Sequence, residues 1–187
     1  MKDLGDAKYC LGIRITRDQA EGKLWLDQQA YIEQIIQRFG MTESYPVATP
    51  ADPSLRLDKY MGPRNQNEAE EMKNVPFKEF VECLSFVAQV TRPDIAFAVN
   101  AASQFSANPG RQHWEAVKKI IRYLKGTSTK KLEYSKRESS ELVGFSDADW
   151  GGDPDNRRST TGYVFTLQGG AISFNVKKAA HRCSFIL

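Results

Sequence analysis

The chain has 187 residues and a net charge of +3, with 41% hydrophobic, 11% aromatic and 26% charged positions. That size buries a real core in one domain or two small ones, and the aromatic content excludes wholesale disorder. No apolar run approaches the roughly 18 residues that a membrane span needs, so no membrane partner is expected.

In chain order, "YCLGIRIT" alternates, with Leu11, Ile13 and Ile15 on one side and Gly12, Arg14 and Thr16 on the other, which is strand periodicity. A polar turn leads to "KLWLD", so residues 9 to 27 read as a β-hairpin. Asp27 can cap a helix whose apolar positions Ile32, Ile35, Ile36 and Phe39 follow 3.6 spacing until Gly40. From Thr42 to Asn74 the pattern dissolves among Pro46, Pro50, Pro53 and Pro63, which reads as a mobile linker or long loop.

Order returns at Val75. Pro76 suits a first helical position, and Phe77, Phe80, Val81, Leu84 and Val87 make one apolar stripe. "TRPD" resets the chain: Thr91 or Arg92 caps and Pro93 opens a helix continued by Ile95, Val99, Ala102 and Phe105. A third helix starts near Arg111. Its inner face is Trp114, Val117, Ile120, Ile121 and Leu124, and its outer face is Arg111, Lys118, Lys119, Arg122 and Lys125. After Thr129 the period changes again, and "KLEYS", "ELVGFSD", "TTGYVFTL" and "AISFNV" read as four short strands. The fold class expected is α+β.

The small net charge conceals an asymmetry. Arg111 to Arg137 holds nine basic and two acidic residues, whereas Glu138 to Asn156 holds six carboxylates and no base. Adjacent blocks of opposite sign fit a polyanion-contacting face beside a carboxylate-bearing site, or two oppositely charged solvated faces. The lysines and Arg122 can face solvent and meet a phosphate backbone without reading sequence. Trp114, Tyr123 and Tyr134 interleave with them, a mix seen in RNA binders, although Trp114 on the apolar face favours core packing.

Within "GFSDADWGGD", Asp147 and Asp149 share strand parity, which is one way to begin a divalent-cation site. A two-metal phosphodiester hydrolase needs about four carboxylates from several elements, so the pair can equally decorate a strand end and turn. Ser146 and Ser159 have no histidine near them in sequence to serve as base, and "LQGGA" is not a phosphate loop. Cys10, Cys83 and Cys183 form no CxxC and read as reduced intracellular thiols, while His113 and His181 are too isolated for a histidine-rich metal site. No stretch near Met1 has signal-peptide character, so the expected location is intracellular, cytoplasmic or nuclear.

Taken in order, "MKDLGDAKYCLGIRITR", "KLWLDQQAYIEQIIQRFGM", "PVATP", "TRPDIAFAVNAASQF", "HWEAVKKIIRYLKGT" and "SDADWGGD" followed by "STTGY" closely resemble the Pol polyprotein of copia-type retrotransposons, from Met1 to about Phe174. The resemblance implies four parts. Residues 1–41 would be the end of the reverse transcriptase palm with a primer-grip-like hairpin, and residues 42–74 a linker. Residues 75–128 would be thumb and connection helices, and residues 129–187 an incomplete RNase H-like sheet. It also implies that Asp147 is a vestigial catalytic carboxylate and, with Asp149, a ligand of Mg²⁺ or Mn²⁺. Arg111, Lys118, Lys119, Arg122 and Lys125 would touch an RNA–DNA hybrid or another nucleic-acid duplex, with the remaining Pol segments as further partners.

The departures shape the functional expectation. The family's polymerase aspartates sit in a Tyr-(Val)-Asp-Asp strand that does not occur here, and "NVKKAAHRCSFIL" replaces the segment bearing the next nuclease glutamate. The expectation is therefore a truncated element fragment, inactive alone and at most nucleic-acid binding. Two alternatives stand beside it. One is part of an active polymerase and RNase H polyprotein that hydrolyses RNA in hybrids with two metals. The other is a host-recruited, non-catalytic binding protein.

Overall fold

The computed structural model describes residues 5–182, with side chains as far as Ala180; Cys183, the side chain of His181 and the chain after Arg182 lie outside the described residues. Strands β1 (Tyr9–Cys10), β2 (Ile13–Asp18) and β3 (Lys23–Asp27) precede helix α1 (Gln29–Arg38). Helices α2 (Gln66–Lys73), α3 (Phe77–Val90), α4 (Ala96–Ser103) and α5 (Arg111–Gly126) follow. Strands β4 (Leu132–Ser135), β5 (Val143–Ala148), β6 (Arg158–Leu167) and β7 (Gly170–Arg182) complete an α+β fold.

The core is helical. Ile32, Ile35 and Ile36 of α1, Phe80 and Leu84 of α3, Val99 of α4, and Val117, Ile120 and Leu124 of α5 are all buried together. The apolar stripes seen in sequence are the faces that meet. Phe39, just past α1, stacks on Phe80 at 3.9 Å between ring centroids, and the Phe80 ring lies 5.3 Å from that of Trp114. Trp114 is therefore packed against the core.

The first strand differs from its sequence reading. Leu11 and Gly12 adopt φ of 49° and 79°, a left-handed pair that turns Tyr9–Cys10 back to pair with Ile13 and Arg14. The alternation through "YCLGIRIT" thus spans a tight turn and not one strand. Asp27 also does not take the cap position, which Gln28 occupies. It stays on β3 and accepts from the backbone N–H of Gln29 at 3.2 Å and from Arg14 Nε at 3.0 Å.

A second difference concerns β4. Read in sequence as the opening strand of the C-terminal sheet, it pairs antiparallel with β3, Lys23 opposite Ser135 and Leu26 opposite Leu132. The N-terminal sheet runs β1-β2-β3-β4, and the other sheet is a three-stranded meander, β5-β6-β7. Cross-strand bonds explain the choice: Trp25 Nε1 donates to Glu133 at 2.8 Å, and Lys23 lies 3.4 Å from the same carboxylate.

The "QGG" turn joins the two sheets. Gln168 and Gly169 have φ of 51° and 80°, which closes the β6–β7 hairpin. Gly170 is needed for space, since a Cβ there would fall 2.4 Å from the Tyr134 ring. The Tyr134 hydroxyl donates to the Ala171 carbonyl at 2.6 Å, and the Ser135 N–H donates to the Gln168 carbonyl at 3.0 Å.

The stretch read as a structureless linker contains local order. Asp58 accepts from the N–H groups of Tyr60 and Met61 and caps a 3₁₀ turn at Lys59–Met61. Asn65 caps α2 by accepting from the Glu68 N–H at 2.9 Å. Short capping residues give these elements a start without any apolar period, which is why hydrophobic spacing misses them.

Candidate nucleic-acid interface and carboxylate strand

Helix α5 carries the basic face because its apolar positions recur on one side and leave the others outside. Arg111 is exposed, while Lys118, Lys119, Arg122 and Lys125 are half-buried. Lys118 Nζ lies 2.6 Å from Glu115, one turn back on the same helix. The other three are engaged by the chain between Thr42 and Asp52. Lys119 Nζ meets Asp52 at 3.3 Å, Arg122 Nε donates to the Tyr45 carbonyl at 2.6 Å, and Lys125 Nζ donates to the carbonyls of Ser44 at 2.7 Å and of Thr42. The sequence reading left these side chains in open solvent. The structure lays a strap across three of them, with backbone carbonyls on Arg122 and Lys125 and the Asp52 carboxylate on Lys119.

Two buried groups, neither assigned such a role from sequence, hold this arrangement. His113 is fully buried, stacks on Phe105 at 4.1 Å, accepts the Gly110 N–H at Nδ1 and donates from Nε2 to the Asp58 carbonyl, each at 2.9 Å. Burial pushes its imidazole below the ordinary histidine range, more than the Asp58 carbonyl pulls it back. Gly110 fits because any Cβ there would sit 1.8 Å from the Met61 carbonyl oxygen. The 3₁₀ turn is thereby fastened to the start of α5.

At the far end of α5, Arg92 is only 2% exposed. It forks onto Asp94 at 2.9 and 2.8 Å and donates to the Thr127 carbonyl at 2.9 Å and to the Thr127 hydroxyl oxygen at 2.6 Å. Burial alone would raise the Asp94 carboxyl, but hydrogen bonds from Arg92 and the Tyr123 hydroxyl, with the charges of Arg92 and Lys130, hold it below the usual range. The "TRPD" motif is thus a clamp between the α3–α4 corner and the end of α5. Arginine followed two residues later by aspartate was the signal available in sequence.

The carboxylates divide. Asp147 lies on β5 opposite Gly162 and is exposed. Asp149 stands just past the strand's end, and its Oδ1 accepts from the N–H groups of Thr160 at 2.8 Å and Gly152 at 3.3 Å. A Cβ at Gly152 would come 2.4 Å from Asp149 Oδ2, so the turn closes tightly around this carboxylate. Among the described residues no group of three or more His, Cys, Asp or Glu gathers to hold a metal ion.

A cavity of about 480 Å³ connects the two regions, lined by Asp52, Leu57, Phe97, Lys119, Asp149 and Asp153 among others. Lys119 and Asp149 therefore open onto one space, and polar groups help to dock the sheet on the helices. Asn100 Nδ2 donates to the Val176 carbonyl at 3.1 Å, and Lys178 bonds Gln104 at 2.6 Å and pairs with Asp153. Among the described residues no helix is long and apolar enough to cross a membrane.

Comparison with known proteins decides the family. The chain is 48% identical over 177 residues to the retrovirus-related Pol polyprotein from transposon TNT 1-94 of Nicotiana tabacum, covering 95% of this chain and 13% of that protein. It is 38% identical over 178 residues to the Pol polyprotein from transposon RE1 of Arabidopsis thaliana, covering 95% of this chain and 12% of that protein. It is also 35% identical over 182 residues to an uncharacterized mitochondrial protein of Arabidopsis thaliana, covering 95% of this chain and 70% of that protein.

The chain belongs to the copia-type retrotransposon Pol family. It spans about an eighth of the length of the Pol polyproteins it matches. No family model and no solved structure matches it.

Proposed function

We propose that this copia-type Pol segment is the junction of the reverse transcriptase and RNase H regions. In that reading its basic helix α5 contacts the backbone of an RNA–DNA hybrid or similar duplex, and the segment alone neither polymerises nor cleaves. The observation that carries the binding reading is the amphipathic division of α5, which sets five cations opposite a buried face of Val117, Ile120 and Leu124. Cations in that arrangement meet phosphates independently of sequence, and each contact steepens the salt dependence.

The non-cleaving half of the proposal is supported by the acids. A two-metal mechanism uses ions held by several carboxylates to activate water and neutralise developing charge. Asp147 and Asp149 are two candidates, and Asp149 already spends one oxygen on two backbone N–H groups. The described residues thus do not fit a two-ion cage of Mg²⁺ or Mn²⁺ by themselves. A second reading, favoured by the much greater length of the matched polyproteins, is that the same segment serves polymerase and RNase H activity inside a longer chain.

The binding reading is tested by measuring the affinity of the full chain for a labelled RNA–DNA hybrid across a salt series. Arg111→Ala and Lys118→Ala should each weaken binding and flatten the slope of log K against log salt by about 0.9 per lost contact. Binding that ignores both substitutions would contradict it.

A further inference from the structure

We infer that the segment from Thr42 to Asp52 is a displaceable strap that masks three of the five cations of α5, its oxygens standing where nucleic-acid phosphates would bind. The inference rests on the proposed backbone contact of α5 and concerns how that face is regulated. Lys119, Arg122 and Lys125 all direct donors at strap oxygens, namely the Asp52 carboxylate and the carbonyls of Tyr45, Thr42 and Ser44. Carbonyls are uncharged acceptors, so a phosphate offering a charge-assisted bond to the same nitrogens displaces them favourably.

The strap is built to lift without the fold opening. Its apolar residues Val47 and Ala51, with Met41 before it, rest against the core and tether it. Its polar contacts lie toward solvent. The side chains of Lys119 and Asp52 are 27% and 44% exposed, and ion pairs at such partly exposed positions contribute little to stability and exchange readily. Arg111, which is exposed, and Lys118, which is paired with Glu115 of its own helix, lie outside the strap's reach and serve the first encounter. The three masked ones follow once the strap yields. Asp52 matters most because it is the carboxylate in this set of contacts: it neutralises Lys119 and repels an approaching polyanion.

The test measures affinity of the full chain for an RNA–DNA hybrid duplex against salt, for the unsubstituted protein, Asp52→Asn and Glu82→Gln. Glu82 is exposed on α3, so its substitution changes net charge equally but away from α5. Masking predicts that Asp52→Asn binds several-fold tighter at low salt, with a slope steeper by about 0.9, while Glu82→Gln keeps the original slope. Equal slopes in all three proteins, with Lys118→Ala still flattening the slope, would overturn the strap and leave the binding reading standing. Failure of all three proteins to bind would remove both.

Discussion

His113 Nε2 lies 2.9 Å from the Asp58 carbonyl oxygen, a contact spanning 55 residues of sequence, while its Nδ1 accepts the Gly110 N–H. With both nitrogens committed, the ring is neutral, its hydrogen on Nε2, and a second proton has to break the bond to Gly110. A histidine that looked isolated in sequence is the fastener between the proline-rich segment and α5.

That fastening makes stability pH-dependent in a definite direction. The folded His113 titrates below its unfolded value of 6.5, so the unfolded chain binds the extra proton first. The contribution is complete above the unfolded value and is lost as pH falls through the folded one. We expect the urea midpoint to drop between about pH 7.5 and about pH 5.5, and His113→Gln to lower the midpoint at the higher pH while shrinking that drop. An equal drop in both proteins would place the titration elsewhere.

Arg92 carries the second buried constraint. Arg92 is buried but the Asp94 side chain is 34% exposed, so removing Arg92 leaves a solvated carboxylate. The loss is that of the hydrogen bonds to Asp94 and Thr127, about 1.5–3 kcal/mol. Arg92→Ala should approach that loss in urea denaturation. Arg92→Lys should recover only part of it, because an ammonium cannot reproduce the fork onto Asp94 and Thr127. A loss below about 1 kcal/mol for Arg92→Ala would show the clamp to be energetically idle.

Gly110→Ala tests the close approach of the 3₁₀ turn to α5. A Cβ 1.8 Å from the Met61 oxygen cannot be accommodated, and that oxygen is backbone, so the turn has to move. We expect limited proteolysis to cut faster between residues 56 and 66 while the helical circular dichroism signal persists. Unchanged cleavage would mean that the turn yields without detaching.

The C-terminal sheet should be the least protected part. Among the described residues it has three strands, and Val143, Phe145, Tyr163 and Phe165 are all more than a third exposed, so little apolar contact holds β5 in place. Hydrogen exchange should be slowest in α3 and α5 and fastest among the regular elements in β5. Uniform protection across helices and sheet would contradict this ordering.

Helices α1, α3, α4 and α5 are legible because apolar residues at 3.6 spacing, as in Val117, Ile120, Ile121 and Leu124, report a buried face directly, whereas α2 buries none. The partner of β4 was not legible, since its choice depends on Trp25 and Lys23 meeting Glu133 across more than a hundred residues. The turn at Leu11–Gly12 hid inside an alternating pattern, because a tight two-residue turn does not interrupt it. At the candidate site the cations were visible as a charge block, but the strap over them was not. Two of the three cations are held through backbone carbonyls, which every residue has, and the third by Asp52, 67 residues away in sequence.

The property to measure is the proposed inability of this segment alone to cleave RNA. The full chain, incubated with a labelled RNA–DNA hybrid in Mg²⁺ or Mn²⁺, should leave the RNA strand intact, and Asp147→Asn should behave identically. Turnover by the unsubstituted protein that disappears in Asp147→Asn would contradict it.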